Sequence, residues 1–370
     1  MAADVFFIPF GASGKNGLAK GIKAILERAG LQKIVLDGEM VAVKTHLGEK
    51  GNTAFVKPIF VAMVVRAIKE TGGKPFLTDT NTLYVGSRGN AISHLETAYI
   101  HGFLPYPVGA PVIIADGLRG SDGVEIEIDG KHFKVVEIAK HISEADSMVV
   151  ITHFKGHDLT AFGGAIKNIG MGCSTRKGKL NMHSNVKPFV EEDRCTGCKL
   201  CTKWCPVDAI KIVNKKAIID SDTCIGCAEC IGACPEKAIN IIWDAASNSA
   251  QEKMAEFASG VSKVLNNKFL FINFLTEITP ACDCYPFSGA PIVPDIGILA
   301  SRDPVAIDMA SYDLVNNQPG LNREVLGDAV AIGADKFKAI YPHLDGLIQL
   351  RHAKALGLGS IEYNLIKMED

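Results

Sequence analysis

The sequence has no marked excess of charge of either sign and no apolar run long enough to cross a bilayer. Its 370 residues include 39 Lys and Arg against 41 Asp and Glu, a formal net charge of −2. Nucleic acids and anionic membranes are usually bound through an excess of basic residues, so neither is expected as a partner. A membrane-spanning helix needs about 20 consecutive apolar residues, which the chain lacks. We therefore expect a globular protein.

Short motifs for nucleotide binding and hydrolysis are also missing. Gly11-Ala-Ser-Gly14-Lys15-Asn16-Gly17 follows an apolar run, but its spacing is neither a dinucleotide fingerprint nor a P-loop. We find no nucleophile elbow and no zinc-protease helix motif. The first ten residues contain an acid and no basic residue, which is not typical of a secretory signal peptide. A cytoplasmic location is the expectation from this pattern.

Cysteine, in contrast, is abundant, with 11 residues. Eight of them form two copies of Cys-x2-Cys-x2-Cys-x3-Cys-Pro, in which positions 195 and 224 correspond, and this indicates an internal duplication. In bacterial ferredoxins with this spacing, three thiolates of one copy bind a 4Fe-4S cluster together with the fourth thiolate of the other copy. The predicted ligands are Cys195, Cys198, Cys201 and Cys234 for one cluster, and Cys224, Cys227, Cys230 and Cys205 for the other.

Two other interpretations of the cysteines are a zinc ribbon and a disulfide scaffold. A structural zinc takes four ligands, usually as two separated pairs, and has no use for a third cysteine two residues further on. Disulfides form in secreted proteins and other oxidising compartments. The first ten residues are not typical of a signal peptide, so secretion is not expected. The complete double pattern therefore favours two clusters in a reducing cytoplasm.

The rest of the chain predicts an α/β fold with a largely parallel sheet and flanking helices. Apolar strand-like runs alternate with helical patterns before the cysteines and resume after them. We therefore divide the chain into residues 1–187 and 245–370 of one α/β host domain and an inserted α+β ferredoxin-like module at 188–244. The predicted strands are Val5–Pro9, Val41–Thr45, Pro75–Thr80, Val112–Ala115, Ser147–Thr152, Phe269–Asn273 and Ile296–Leu299, with a hairpin at Val124–Ile138. The predicted helices are Asn16–Ala29, Pro58–Glu70, Asn90–His101 and Ser249–Leu265, with mostly helix to the end.

Three cysteines remain outside the double pattern. Cys282 and Cys284 flank Asp283 in a loop stiffened by two prolines, and two thiolates at i and i+2 of an extended chain can share a metal. Cys173 lies just before the predicted module. If the three converge, they suit a third iron-sulfur cluster or a single metal ion with an open position. Burial of each as a small hydrophobe and a redox pair of Cys282 with Cys284 are the alternatives.

Histidines and lysines cluster at the predicted strand ends, where open α/β sheets bind their ligands. We predict catalytic or binding roles for His153, His157 and Lys167, and weaker candidacies for Lys44, His46 and Asp79. The backbone N–H groups of the glycine-rich segment 163–170 are a candidate anion cradle. Such a cleft would hold a carboxylate or phosphate while histidine or lysine transfers protons.

Several long segments resemble one known family. They are Phe76–Tyr84, Ile114–Leu118, Thr152–His157, Gly163–Cys173 and Pro294–Asp308, and they are similar to the family catalogued as domain of unknown function 362, in its ferredoxin-containing form. The resemblance implies a cytoplasmic iron-sulfur protein of anaerobic bacteria or archaea and cluster ligation by the eight patterned cysteines. It implies no activity.

Three functions follow from these patterns. The first is a redox protein in which two clusters relay electrons between a donor or acceptor protein and a small anionic substrate in the host domain. The second is an electron carrier without catalysis, whose remaining cysteines bind nothing. The third is a non-redox metal enzyme such as a lyase, with an open metal position as a Lewis acid.

Overall fold

The computed structural model describes residues 2–10, 18–84, 86–183, 187–242 and 247–368. Its strands are β1 (Ala3–Pro9), β2 (Met40–Thr45), β3 (Lys74–Asp79), β4 (Val112–Ile114), β5 (Gly123–Glu127), β6 (Val135–Ala139), β7 (Ser147–His153), β8 (Lys155–His157), β9 (Ala161–Gly163), β10 (Phe189–Val190), β11 (Ile210–Val213), β12 (Lys216–Ile219), β13 (Ile239–Asn240), β14 (Phe269–Leu275), β15 (Gly297–Ser301) and β16 (Tyr363–Lys367).

The α-helices in the same part of the chain are α1 (Leu18–Arg28), α2 (Leu31–Ile34), α3 (Pro58–Glu70), α4 (Ala91–Ile100), α5 (Pro105–Val108), α6 (Lys140–Ser143), α7 (Ala165–Gly170), α8 (Arg176–His183), α9 (Leu200–Lys203), α10 (Glu229–Ala233), α11 (Ser247–Val264), α12 (Pro304–Asn316), α13 (Arg323–Leu326), α14 (Lys336–Ile340) and α15 (Ile348–Ala355). Short 3₁₀ turns lie at Glu192–Arg194 and Gly327–Val330. None of these described helices has both the length and the apolar composition that crossing a membrane requires.

An eight-stranded sheet in the order β16-β1-β15-β14-β7-β2-β3-β4 forms the centre of the protein. The pairs from β14 to β4 are all parallel, and β15 alone runs against its two neighbours. This confirms the predicted α/β class with a mainly parallel sheet and flanking helices. The carboxyl ends of β2, β3 and β7 consequently meet at one edge.

Alternate residues of the central strands pack into two separate hydrophobic cores. On β7, Met148 and Val150 face one core, which is covered by α7, α11, α12 and α15, whereas Val149 and Ile151 face the other, covered by α1 and α3. Both faces of a parallel sheet are buried beneath helices, so its strands have apolar residues at successive positions. This is why the sequence predicts these strands to within one or two residues.

The structure differs from the prediction mainly near the carboxyl terminus. That region was expected to be mostly helical, but β16 pairs in parallel with β1 through Tyr363 to Lys367. β16 is partly exposed at the sheet edge and does not alternate between apolar and polar residues. Its sequence therefore does not predict a strand. The predicted hairpin is present as β5 and β6. The segment 11–17 and the predicted module end at Asp244 lie outside the described residues.

Residues 187–242 pack around a small third core with two antiparallel strand pairs, β10 with β13 and β11 with β12. The duplication is visible in the backbone. Left-handed conformations recur 29 residues apart at Gly197 and Gly226, and this repeats at Lys199 with Ala228 and at Asp208 with Lys237. Leu83 and Leu180 of the α/β part complete this core, so the two parts are in contact.

Candidate active site and metal-binding group

A cleft of about 900 Å³ lies at the carboxyl ends of β2, β3 and β7. Open α/β sheets bind ligands at this edge because loops diverge there while the strands hold their ends rigidly. The six polar residues predicted from the sequence all line the cleft, and they are Lys44, His46, Asp79, His153, His157 and Lys167. Cys284 lines it as well.

Three metal-binding side chains converge at this cleft. The ligand atoms of His157, Cys282 and Cys284 all lie within 4.8 Å of one another. Cys282 and His157 are buried and Cys284 is half-buried, and the group combines two sulfur donors with one imidazole. Among the described residues it can hold a metal ion through three protein ligands.

The two thiols of this group differ in acidity. A hydrogen bond from Cys284 lowers the pKa of Cys282 well below its usual value although burial opposes this, and the charge of Lys167 lowers it further. The same hydrogen bond raises the pKa of Cys284. Burial lowers the pKa of His157, so this imidazole is neutral. The Lys167 ammonium lies 3.8 Å from Cys282 Sγ, and the group therefore contains a thiolate next to a cation.

The carboxylate between the two cysteines fixes their loop. Asp283 is fully buried, and its Oδ1 lies 2.8 Å from His153 Nδ1 while its Oδ2 lies 3.5 Å from Lys155 Nζ. Burial alone would raise the pKa of Asp283, but His153 and Lys155 lower it to about 2. His153 Nε2 also donates to the carbonyl of Thr276 at 2.9 Å. Both ring nitrogens of His153 are thus engaged within the protein and help to position the loop, and its catalytic role stays a prediction.

β8 approaches the loop closely because Gly156 has no side chain. Its N–H donates to the Thr279 carbonyl at 2.9 Å, and a Cβ at this position would lie 2.0 Å from the Pro280 carbonyl oxygen. This contact brings His157, the next residue, to the side of the cysteines. The histidine in the group therefore comes from a different segment of the chain than the two thiols.

A buried ion network forms another wall of the cleft, and two of its members, Glu49 and Arg88, were not predicted from the sequence. Lys44 Nζ lies 3.1 Å from Asp79 Oδ1, and Arg88 lies 3.4 Å from Asp79 and 3.2 Å from Glu49. Lys44 and Arg88 hold the pKa of Asp79 well below its usual value despite burial. Tyr84 also contacts Arg88. Glu49 and Arg88 lie in loops without a motif, so no sequence signal marks them.

The predicted anion cradle at the start of α7 is already occupied by a side chain of the protein. The Asp308 carboxylate accepts hydrogen bonds from the N–H groups of Ala165 at 2.7 Å and Ile166 at 3.0 Å. A Cβ on Gly164 would lie 2.3 Å from Asp308 Oδ1. The glycines here make room for an internal carboxylate, and the expectation of a substrate cradle was wrong.

Cys173 does not join the other two remaining cysteines. It follows α7, is fully buried among the apolar residues of one sheet face, and is absent from the group formed by His157, Cys282 and Cys284. Burial raises its pKa to about 12. Cys173 therefore packs as a small hydrophobe, and the place expected for it beside Cys282 and Cys284 is taken by His157.

The eight patterned cysteines line two small cavities, four in each. One cavity is lined by Cys195, Cys198, Cys201 and Cys234, and the other by Cys205, Cys224, Cys227 and Cys230. Backbone N–H groups point at three of the sulfur atoms, from Ala217 to Cys195 at 3.3 Å, from Ala209 to Cys205 at 3.2 Å and from Ala238 to Cys234 at 3.3 Å. Such bonds stabilise thiolates bound to iron. The donor sets fit two clusters with the interleaved ligands.

The first of these cavities lies close to the cleft. A space of about 180 Å³ is lined by Leu83 and Tyr84 on one side and by Ile231 and Cys234 on the other. Tyr84 also lines the cleft, as does Lys237 from the cysteine-rich segment. The cleft and the space next to Cys234 therefore have Tyr84 as a common lining residue.

The sequence matches the family described as "Domain of unknown function (DUF362)" over residues 41–313. A thylakoid-associated protein of Synechocystis sp. (strain ATCC 27184 / PCC 6803 / Kazusa) is 26% identical over 172 residues, which cover 45% of this chain and 50% of that protein. The chain thus spans about half the length of this relative.

Two solved structures are similar to parts of this chain. The lactate racemase apoprotein of Thermoanaerobacterium thermosaccharolyticum matches 69% of this chain and 49% of its own, with a TM-score of 0.38 and 12% identity. A structural-genomics crystal structure of a protein from Thermotoga maritima matches 71% of this chain and 52% of its own, with a TM-score of 0.38 and 10% identity.

Proposed function

Because this chain belongs to the DUF362 family, whose description names no activity, we propose a function from its own residues. It is an iron-sulfur redox protein, in which the cysteine-rich segment is an inserted ferredoxin-like module and the cleft binds a small anionic substrate. The observation that carries this proposal is the grouping of the eight cysteines around two cavities, in the interleaved sets that the spacing predicts.

The two bound clusters would supply one-electron transfer at low potential. Cys195, Cys198, Cys201 and Cys234 would hold one of them, and Cys205, Cys224, Cys227 and Cys230 the other. The proximity of Cys234 to Tyr84, which lines the cleft, supports a relay between the module and the host domain. A donor or acceptor protein in a reducing cytoplasm would exchange electrons with the module.

Residues of the host domain would bind the substrate and move its protons. Lys167 and Lys179 line the cleft together with the paired residues Lys44 and Arg88. Burial lowers the pKa of Lys167, but attraction to the Cys282 thiolate outweighs it, so the pKa lies above its usual value. Lys167 is therefore a cation suited to hold a carboxylate or phosphate, and His157 would accept a proton only in the protein without a metal at Cys282 and Cys284.

Iron and acid-labile sulfide analysis of the anaerobically purified protein tests the proposal. We expect about eight irons and about eight sulfides per chain, as two 4Fe-4S clusters require. Two zinc ions per chain without sulfide would contradict it and favour a structural zinc segment.

The anionic character of the substrate leads to a pH-dependent prediction. Burial lowers the pKa of Lys179 to about 8, and its ammonium donates to Thr80 Oγ1 at 2.7 Å. Lys179 is cationic below this pH and neutral above it. We therefore expect the affinity for oxalate, used as a small dicarboxylate probe in calorimetry, to fall several-fold between pH 7 and pH 9.

The variant Lys179→Arg is the matched control, because arginine stays charged at these pH values. It should bind oxalate with a weaker pH dependence. A parent protein whose affinity is unchanged over this range would exclude Lys179 from anion binding.

A non-redox metal enzyme is the second candidate, and the convergence of His157, Cys282 and Cys284 at the cleft favours it. A metal with three protein ligands keeps a position for substrate, as a Lewis acid requires. Turnover that persists with the module clusters held in one oxidation state would identify this activity.

A further inference from the structure

We propose that His157, Cys282 and Cys284 form a mononuclear site for a thiophilic divalent cation, zinc or iron(II), with a fourth coordination position open to the cleft. The inference deepens the proposed function, because it identifies the centre at which electrons or substrate would meet in the host domain. Binding of the ion itself does not depend on the two clusters.

The spacing of the donors indicates a single ion. Two ligands bound to one tetrahedral zinc at about 2.3 Å each are about 3.8 Å apart. The three donor atoms here all lie within 4.8 Å of one another, so shifts of up to about 1 Å bring them to the separation that one ion requires. A 4Fe-4S cluster binds each thiolate through a different iron and spaces them more widely.

The donor types suit a soft cation. Two sulfurs and one imidazole favour zinc or iron over magnesium or calcium, which prefer oxygen ligands. With three protein ligands, tetrahedral coordination leaves one position for water or substrate. Cys284 and His157 both line the cleft, so this position faces the space where the substrate would bind.

Neighbouring carboxylates hold the ligands in place. The Leu159 N–H donates to His157 Nδ1 at 3.1 Å, and Asp158 Oδ1 lies 3.4 Å from the same nitrogen, so Nε2 is the ring nitrogen left for the ion. Tyr285 donates to the other oxygen of Asp158 at 2.5 Å. Asp283 fixes the loop between the two cysteines through His153 and Lys155. Metal ligands in proteins commonly have such outer partners.

Lys167 places a positive charge near the open position of the ion. Its ammonium lies 3.8 Å from Cys282 Sγ and lines the same cleft. An anionic substrate that placed one oxygen on the ion could therefore pair its negative charge with Lys167. The ligand class that fits is a small carboxylate.

Zinc binding to the full-length protein tests the site. The cluster-loaded protein is equilibrated anaerobically with Zn²⁺, passed through a desalting column and analysed for zinc and iron by mass spectrometry. We expect one more zinc or non-cluster iron per chain in the parent than in Cys282→Ser, and the same loss in His157→Ala. Cys173→Ser is the matched control, since this cysteine lies outside the group, and it should retain the ion.

The iron and sulfide counts of the same samples separate this proposal from the proposed function. Cys282→Ser should keep about eight irons in its clusters, and a parent protein that lacks clusters should still bind one more zinc than Cys282→Ser. Equal metal content in the parent, Cys282→Ser and His157→Ala would overturn the site. A disulfide between Cys282 and Cys284 in the protein purified under reducing conditions would overturn it as well.

Discussion

Simultaneous replacement of Cys234 and Cys195 by alanine should remove about four irons per chain, whereas replacement of Cys234 and Cys224 should remove about eight. The two cysteines of the first pair line the same cavity, and those of the second pair line different cavities. A 4Fe-4S cluster needs four thiolates, so each affected cavity loses its whole cluster. Iron and sulfide analysis of the two double variants is the measurement.

The design separates interleaved from contiguous ligation. If each cluster used the four cysteines of one sequence copy, Cys224 with Cys234 would belong together and their replacement would remove only about four irons. Cys195 with Cys234 would then remove about eight. Cys173→Ala serves as the control for a cysteine replacement outside both cavities and should keep all iron.

Replacement of Asp283 by asparagine should lower the free energy of unfolding by about 3–5 kcal/mol, because it removes one partner of a buried ion cluster. The carboxylate is fully buried between His153 and Lys155, whose side chains are also buried. Without it, the charge of Lys155 has no compensating carboxylate within the loop. The measurement is urea unfolding of parent and variant under anaerobic conditions, followed by far-ultraviolet circular dichroism.

An exposed ion pair next to the same loop provides the control. Glu277 lies 2.7 Å from Lys57, and both side chains are about 40% exposed, at 42% and 40%. Solvent screens such pairs, so Glu277→Gln should cost less than about 1 kcal/mol. Equal effects of the two substitutions would show that Asp283 does not stabilise the loop through its charge. A loss of zinc in Asp283→Asn alone would show that the loop positions the metal ligands.

The contribution of Asp283 to the free energy of unfolding depends on pH. The pKa of Asp283 is lowered to about 2 in the folded protein, so between about pH 4 and pH 2 the unfolded chain binds more protons than the folded protein. The stabilisation by Asp283 is therefore complete above about pH 4, the unfolded pKa, and is lost as the pH falls through about 2.

The strands of the sheet and the two cysteine sets could be predicted because each depends on the residue types in a short stretch of sequence. β2, β7 and β14 are buried on both faces and are visible as apolar runs, and the two cysteine sets follow a regular spacing. β16 could not be recognised, since its place depends on pairing with β1 from the far end of the chain. Strand pairing between distant segments has no local signature.

Only part of the metal-binding group could be predicted from the sequence. The i and i+2 spacing of Cys282 and Cys284 predicted that they would share a site. Their third partner is His157 and not Cys173, because Gly156 allows β8 to lie against the Pro280 carbonyl. Residues more than 100 positions apart thus meet through one backbone contact. Only the three-dimensional structure identifies such a partner.

The most direct test of the central claim is the electron paramagnetic resonance spectrum of the dithionite-reduced, anaerobically purified protein, with iron quantified on the same sample. We expect signals from two reduced 4Fe-4S clusters that interact magnetically, and Cys234→Ala should leave the spectrum of a single cluster. A reduced protein with no signal and with zinc in place of iron would contradict the two-cluster proposal.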